Sequence, residues 1–348
     1  QNWFEFSAAE HTAVRENVGV YDISSFGKFE VTGKDAVTTL QNLSCANIDV
    51  DHGQVVYTQW LNERGGIEAD LTIARLAANR FWVITGIASL NRDWWRLKKN
   101  LLGQTEITDV TTQHACLSVQ GPDARRLLQH ITDSDLSADG FAFGSGRFAQ
   151  VANSTVWMQR LSYVGELGWE LFVPQREALM VFNALHQAGR KYGLANVGLH
   201  ALNSLRLEKG FRHWGHDIAA EDNLFQAGLS FTAKPDAADF IGRAAFLTAR
   251  EAGSQDRRLV QFVLENPEPL LYHNEPIVMN GDVVGFLSSG MYGHSMGAAI
   301  GMGYVNAQGL NAEILESADF EIEVATVRHR ARASLRALYD PTGGRMRL

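Results

Sequence analysis

The sequence has very little cysteine: two residues in 348, Cys45 and Cys116. They form no C-x-x-C, so a disulfide framework is excluded and a reducing, cytoplasmic compartment fits. No apolar run approaches the length of a membrane span. The start, Gln1-Asn2-Trp3-Phe4-Glu5, lacks the charged-then-apolar pattern of a signal peptide. Basic runs are scarce too. Lys and Arg come at most in adjacent pairs, such as Arg257-Arg258 and Lys98-Lys99, and the net charge is −8. Nucleic-acid partners demand a basic face, so none is expected. Both phosphate-loop patterns are missing: there is no G-x-x-x-x-G-K-[ST], and no G-x-G-x-x-G after a strand. Nothing points to a nucleotide or flavin gripped by a glycine loop.

What is present is an ordinary globular composition, 45% hydrophobic and 20% charged, in a chain long enough for two or three domains. Ser7-Ala8-Ala9-Glu10 reads as a capping box that opens a first helix, with Gly19 as its stop. Asp35 is placed to cap a second helix carrying Leu40 and Leu43 on its inner face. Three strands follow, at Val55–Leu61, Ile67–Leu76 and Phe81–Thr85. In the middle one, Ile67, Ala69, Leu71 and Ile73 share one face, while Glu68, Asp70 and Thr72 share the other. A helix near Ser89–Leu101 has Trp94, Trp95 and Leu97 to bury.

The middle of the chain repeats the rhythm. Strand Ala115–Gln120 leads to a helix with Pro122 at its first position. Strands near Arg147–Val151, Thr155–Leu161 and Trp169–Val173 come next, then helices over Arg176–Tyr192 and Gly198–Lys209. This β-α-β-β-α order predicts ferredoxin-like α+β units, not a doubly wound parallel sheet. From about Asp239 short strands separated by Gly and Pro predict a small β-barrel or jelly roll.

Four segments carry candidate chemistry. Gly293-His294-Ser295-Met296-Gly297 fits the G-x-S-x-G pattern of hydrolase elbows, but only 53 residues follow Ser295. That leaves no room for the rest of a hydrolase fold, and a glycine-rich bend between barrel strands is expected instead. His213-Trp214-Gly215-His216-Asp217 has two histidines three apart with no cysteine or histidine to complete a shell, so a structural role is expected and no metal site. Asp70 is a carboxylate within an apolar strand, costly unless it meets a polar cleft or partner. Periodicity alone does not separate that from an exposed face shared with Glu68. Glu170, between Trp169 and Leu171, stands likewise between a site and a solvent-facing hairpin. Gly165 and Gly168 beside it would let backbone approach a ligand closely.

At these residues the chain resembles the aminomethyltransferase (glycine-cleavage T-protein) superfamily, most of all the C-terminal folate-binding half of dimethylglycine and sarcosine dehydrogenases. The resemblance rests on Trp3-Phe4-Glu5, the stretch Ala13 to Asp22, the stretch Leu61 to Thr72, and Leu161 through Glu170. Ala201 through Gly210, Asp239-Phe240-Ile241-Gly242-Arg243 and Tyr339-Asp340-Pro341 extend it over nearly the whole chain. It implies a three-domain cloverleaf around a central channel for tetrahydrofolate. Residues 1–50 with 113–235 would form a first ferredoxin-like unit, 51–112 a second bearing the catalytic aspartate, and 236–348 the barrel. Asp70 matches the family's catalytic aspartate and Glu170 its pterin-holding glutamate. Tyr163 and Trp82 match aromatics of the folate wall, while Arg206 and Arg243 are candidates for the glutamate tail.

The chemistry is coherent. Adjacent pterin N–H donors suit a bidentate carboxylate, and flat rings pack on aromatic walls. A carboxylate near the reactive nitrogens tunes their protonation. Ala201-Leu202-Asn203 stands where glycine-cleavage enzymes carry Ala-Arg-Asp, so Leu202 replaces their folate-binding arginine, and the dehydrogenase-associated branch matches better. The expected activity moves a carbon from an N-methyl or other methyl donor to tetrahydrofolate, giving methylene- or methyl-tetrahydrofolate. The chain would be either a stand-alone transferase served by a flavin oxidase or oxygenase, or the folate half of a larger flavin dehydrogenase. A non-catalytic folate-binding regulatory module is the third possibility.

Overall fold

The computed structural model describes residues 1–237, 239–253 and 256–348. The chain opens with helix α1 (Phe4–Glu16), strands β1 (Gly19–Asp22) and β2 (Gly27–Thr32), and helix α2 (Ala36–Leu43). Strands β3 (Val55–Leu61), β4 (Ile67–Ala77) and β5 (Arg80–Thr85) follow, then helix α3 (Leu90–Lys99) and β6 (Glu106–Asp109). The middle comprises β7 (His114–Gln120), α4 (Ala124–Leu128), β8 (Gly146–Val151), β9 (Ser154–Gln159), β10 (Gly168–Pro174), α5 (Ala178–Gly189), β11 (Ala195–Asn196) and α6 (Leu199–Glu208). After α7 (Arg243–Ala252) come β12 (Arg257–Leu264), β13 (Pro276–Met279), β14 (Asp282–Gly293), β15 (Ala298–Asn306), α8 (Ala312–Ser317), β16 (Phe320–Val324) and β17 (Val327–Ser334).

These strands build three units, as an α+β fold with a terminal barrel requires. One sheet has the order β11-β1-β7-β10-β9-β8, a second β3-β4-β5-β2-β6, and the last six strands close a barrel, β12-β15-β14-β13-β16-β17. Each sheet buries one face under its own helices. Leu71, Ile73, Trp60, Phe81 and Val83 pack with Leu40 and Leu43 of α2 and Leu97 of α3. Val119, Trp169, Leu171 and Met158 pack with Leu127 and Leu128 of α4 and Val181 and Leu185 of α5.

Several local expectations are corrected. Gly27–Thr32 pairs with β5 and β6, so it belongs to the second sheet. The stretch 1–50 is thus divided between both units instead of lying in the first. The reason is register: Phe29 and Val31 complete the second sheet's apolar face. Helix α1 starts at Phe4, without a side-chain cap, and Glu10 instead accepts from the Gly198 N–H at 2.9 Å. Asp35 precedes α2 but takes its hydrogen bond from Gln104 N–H at 2.7 Å. Trp95, expected inside, is 54% exposed because it faces away from the sheet that receives Leu97. Strand β17 was not expected at all: in Val327–Ser334 Arg328, Arg330 and Arg332 alternate with Val327, His329, Ala331 and Ala333, and there is no apolar run.

Candidate active site

Cross-strand register decides which side chains meet between the two sheets. In the second sheet, Gln59 lies opposite Asp70, Tyr57 opposite Thr72, and Ala74 opposite Trp82. Paired residues share a face. This face is the one turned from α2 and α3, and it packs through Val55, Ala74, Trp82 and Ile84 onto Cys116, Trp157 and Phe172 of the first sheet. In the first sheet Glu170 lies opposite Ser118 and Gln159, on the same face as Cys116, Trp157 and Phe172. Asp70 and Glu170 therefore stand on the two sheet faces that pack against each other.

Each carboxylate is held by a buried amide. Gln59 Nε2 donates to Asp70 Oδ1 at 2.7 Å, and Gln159 Nε2 donates to Glu170 Oε2 at 2.7 Å. Glu170 Oε1 takes no hydrogen bond among the described residues. Both carboxylates and Tyr163 stay partly accessible, and Tyr57 is 36% exposed. Yet enclosure by protein dominates their protonation. Burial raises Asp70 to about 6, against which Gln59, Tyr57 and the Arg212 charge act. Burial likewise pushes Glu170 above the usual carboxylate range, opposed by Gln159. It raises the Tyr57 and Tyr163 hydroxyls, with the Asp70 charge adding to both. Groups surrounded by protein yet still accessible are what a site between the two sheets would present.

Tyr163 closes one wall. Its hydroxyl donates to Arg212 O at 2.9 Å, and its ring stacks on Phe211 with centroids 6.1 Å apart. Arg212 is fixed by carbonyls, Nε to Ala227 O at 3.0 Å and Nη1 to Gly210 O at 2.8 Å. Tyr57, Gln59, Gln159 and Arg212 were not singled out from sequence. Alternation around Asp70 and Glu170 would have flagged the first three only with the register known.

Other expected site residues sit differently. Trp82 is 1% exposed, packed between the sheets against His114 and Phe172, with its indole N–H on Glu30 at 3.1 Å. It is core and offers no open wall. Arg206 is 4% exposed and paired with Asp217 at 2.5 Å, with further bonds to Phe211 O and Ser289. Its charge is already used. Arg243, the first residue of α7, donates Nε to Pro235 O at 2.8 Å. No described contact joins it to Asp70 or Glu170. Gly165 and Gly168 leave room for protein, not ligand: a Cβ at Gly165 would strike the Lys209 side chain at 2.4 Å, and one at Gly168 would strike Gln120 at 2.3 Å.

The other two segments resolve as hydrogen-bonding structure. Ser295 lies in the β14–β15 turn, with its N–H on Glu208 at 2.7 Å and its hydroxyl 2.8 Å from His11 Nε2. The amides of Met296 and Gly297 both bond Gly293 O, so the turn presents no oxyanion hole. The His213 N–H donates to Asp217 at 3.0 Å, and Trp214 Nε1 donates to Ile67 O at 2.9 Å. Among the described residues no group of three or more His, Cys, Asp or Glu is arranged to hold a metal. No described helix is long and apolar enough to cross a membrane.

Comparison with known proteins gives these features a context. Residues 1–237 match the GCVT N-terminal domain and residues 257–340 the glycine cleavage T-protein C-terminal barrel domain. The chain is 40% identical over 348 residues to 4-methylaminobutanoate oxidase (formaldehyde-forming) of Paenarthrobacter nicotinovorans, covering 99% of this chain and 42% of that protein. It is 35% identical to human mitochondrial sarcosine dehydrogenase, covering 97% of this chain and 39% of the relative. It thus spans about two fifths of these relatives. Against the aminomethyltransferase of Halothermothrix orenii it is 34% identical, covering 85% of this chain and 82% of that one. The crystal structure of aminomethyltransferase T from Bartonella henselae superposes with a TM-score of 0.84 at 26% identity, covering 96% of this chain and 90% of that chain. With both family domains matched in order and the whole architecture shared, the chain belongs to the glycine-cleavage T-protein family of aminomethyltransferase enzymes.

Proposed function

We propose that the inter-sheet recess binds tetrahydrofolate and that the chain passes a one-carbon unit to it from an N-methylated amine. The observation that carries this is that Asp70 and Glu170, each held by a buried glutamine, stand on the two sheet faces that pack together and both stay partly accessible. Tetrahydrofolate, when bound, supplies the nitrogens that accept the carbon. Glu170 fits the pterin edge: Gln159 occupies one oxygen and leaves Oε1 and spare lone pairs for adjacent N–H donors. Tyr163 and Tyr57 offer flat rings to edge- or face-pack the pteridine. Asp70, titrating near 6, is a carboxylate at neutral pH that can take a proton or steady positive charge. The Arg243 guanidinium, anchored through Nε alone among the described residues, is the remaining cation proposed for the glutamate tail.

The donor class follows from the relatives' names. Two of them oxidise N-methyl amino acids, 4-methylaminobutanoate and sarcosine. In this proposal the amine is oxidised by a flavin-dependent portion or partner, and the present chain captures the released carbon as methylene-tetrahydrofolate. Calorimetry with tetrahydrofolate tests the site: Glu170→Ala should weaken binding more than tenfold. Unchanged affinity would remove Glu170 from the pterin site. Identification of the folate product, methylene or 5-methyl, tests the reaction.

A further inference from the structure

The two carboxylates are held by the same device. Gln59 stands directly across β3 and β4 from Asp70, and Gln159 directly across β9 and β10 from Glu170. Both glutamines are wholly buried. The two ends of an amide are alike in shape, so hydrogen bonds must decide which end faces the carboxylate. At Gln59 the Thr232 hydroxyl lies 2.6 Å from Oε1 and 2.8 Å from Leu229 O, two acceptors for its one proton, and the Cys45 thiol 3.6 Å away donates to Oε1. At Gln159 the Trp157 indole N–H donates to Oε1 at 3.1 Å. Donors on the oxygen turn each NH₂ toward its carboxylate. The reversed amide would set two oxygens face to face unless Asp70 carried a proton.

We propose that Gln59 is a positioning residue for Asp70, with Cys45 and Thr232 on its oxygen fixing the direction of its amide, so that Oδ1 is committed to Gln59 and Oδ2 is left to other partners. The purpose of that arrangement rests on the folate proposal above; its existence does not. Thr232 lies in a short 3₁₀ turn, Ser230–Thr232, far from β3 in sequence. The loop after α6 thereby sets the rotamer of a side chain in the second sheet. An amide N–H on a carboxylate favours the charged form. Gln59 therefore opposes burial and keeps Asp70 ionised near neutrality. The other groups acting on Asp70 are Tyr57 from β3, whose hydroxyl also favours the charged form, Arg212 and Tyr163 from the loops, and Asp93 from α3.

The experiment follows the Asp70 carboxyl by ¹³C NMR of aspartate-labelled protein, with the signal assigned by its loss in Asp70→Asn. Gln59→Met keeps length and removes the amide. It should raise the Asp70 midpoint by about one pH unit, with tetrahydrofolate affinity changed by less than about threefold. Thr232→Val should shift the midpoint in the same direction by less than half as much. A wild-type midpoint in both variants overturns the proposal. If Gln59→Met does not fold, the Thr232→Val titration decides alone. If wild-type protein fails to bind tetrahydrofolate, the folate proposal falls, while the titration still judges Gln59.

Discussion

Asp70 carries a cost that can be measured. Its carboxyl titrates near 4 in an unfolded chain and at about 6 here, chiefly because burial disfavours the charge. Below about pH 4 the group is protonated in both states and contributes nothing to the difference. Between about 4 and 6 the unfolded chain releases its proton first, so rising pH favours unfolding. Above 6 the penalty is complete and constant. Asp70→Asn removes an ionisable group while keeping an oxygen for Gln59. The variant should therefore gain stability over wild type as pH rises from 4 to 6.5, levelling near 2 kcal/mol, roughly, by urea denaturation. A difference that is flat with pH would contradict the raised value. The same variant should keep tetrahydrofolate binding and lose about 10²-fold or more in turnover, the pattern of a site residue whose function opposes stability. A carboxylate inside an alternating apolar strand is a local anomaly, which draws the eye to Asp70 and Glu170, but periodicity left each between site and solvent and only the family resemblance chose. Tyr57, Gln59 and Gln159 are ordinary strand residues until the pairing register sets them beside those carboxylates. Arg206 and Trp82 misled for the opposite reason: a residue type suited to binding is also suited to burial, and only the partner distinguishes the two.

At the scale of elements, α6 shows how an expected ligand-binding arginine becomes a structural one. Arg206 leaves the helix toward Asp217, which is wholly buried and also accepts from Ser288 at 2.6 Å and the His213 N–H at 3.0 Å. Arg206 also donates to Ser289 on β14, so the pair seats the barrel against the helix. Removing one member of such a pair strands a buried charge, typically at about 3–5 kcal/mol. Arg206→Met should lower the urea midpoint accordingly, with tetrahydrofolate affinity preserved in the fraction that stays folded. Intact stability with lost affinity would restore the tail-binding role. Strand and helix positions were largely readable at this scale, because Val55–Leu61, Ile67–Ala77 and Phe320–Val324 declare themselves by alternation or apolar runs. The failures share a cause. The edge of α1, the burial of Trp95 and the existence of β17 depend on what the element packs against, and local sequence does not carry that.

For the whole molecule, one buried charge network joins parts that no motif connects. Arg15 of α1 pairs with Glu166 at 2.8 Å and with Glu208 of α6 at 2.8 Å. Glu166 is shared with Arg345 of the final segment at 2.7 Å, and Lys209 reaches Asp340 at 3.0 Å. Glu208 also receives the Ser295 N–H from the barrel turn and lies 3.4 Å from His11. The Arg15 guanidinium rests 4.1 Å over the Tyr339 ring. The motifs that carried the family resemblance at both ends, Ala13 through Asp22 and Tyr339-Asp340-Pro341, therefore meet here and not at the recess. Burial opposes ionisation of Glu208, but His11 and Arg15 outweigh it and hold the carboxyl below its ordinary value. A depressed carboxyl adds stability that is present above about pH 4.5 and is lost as pH falls through the folded value. Glu208→Gln should therefore cost about 3 kcal/mol at pH 7, since Arg15 loses one of its two buried counter-charges. The gap between variant and wild type should narrow as pH drops below about 4.5, followed by urea midpoints across that range. A gap that persists unchanged at pH 3 would show that Glu208 acts through packing and not charge.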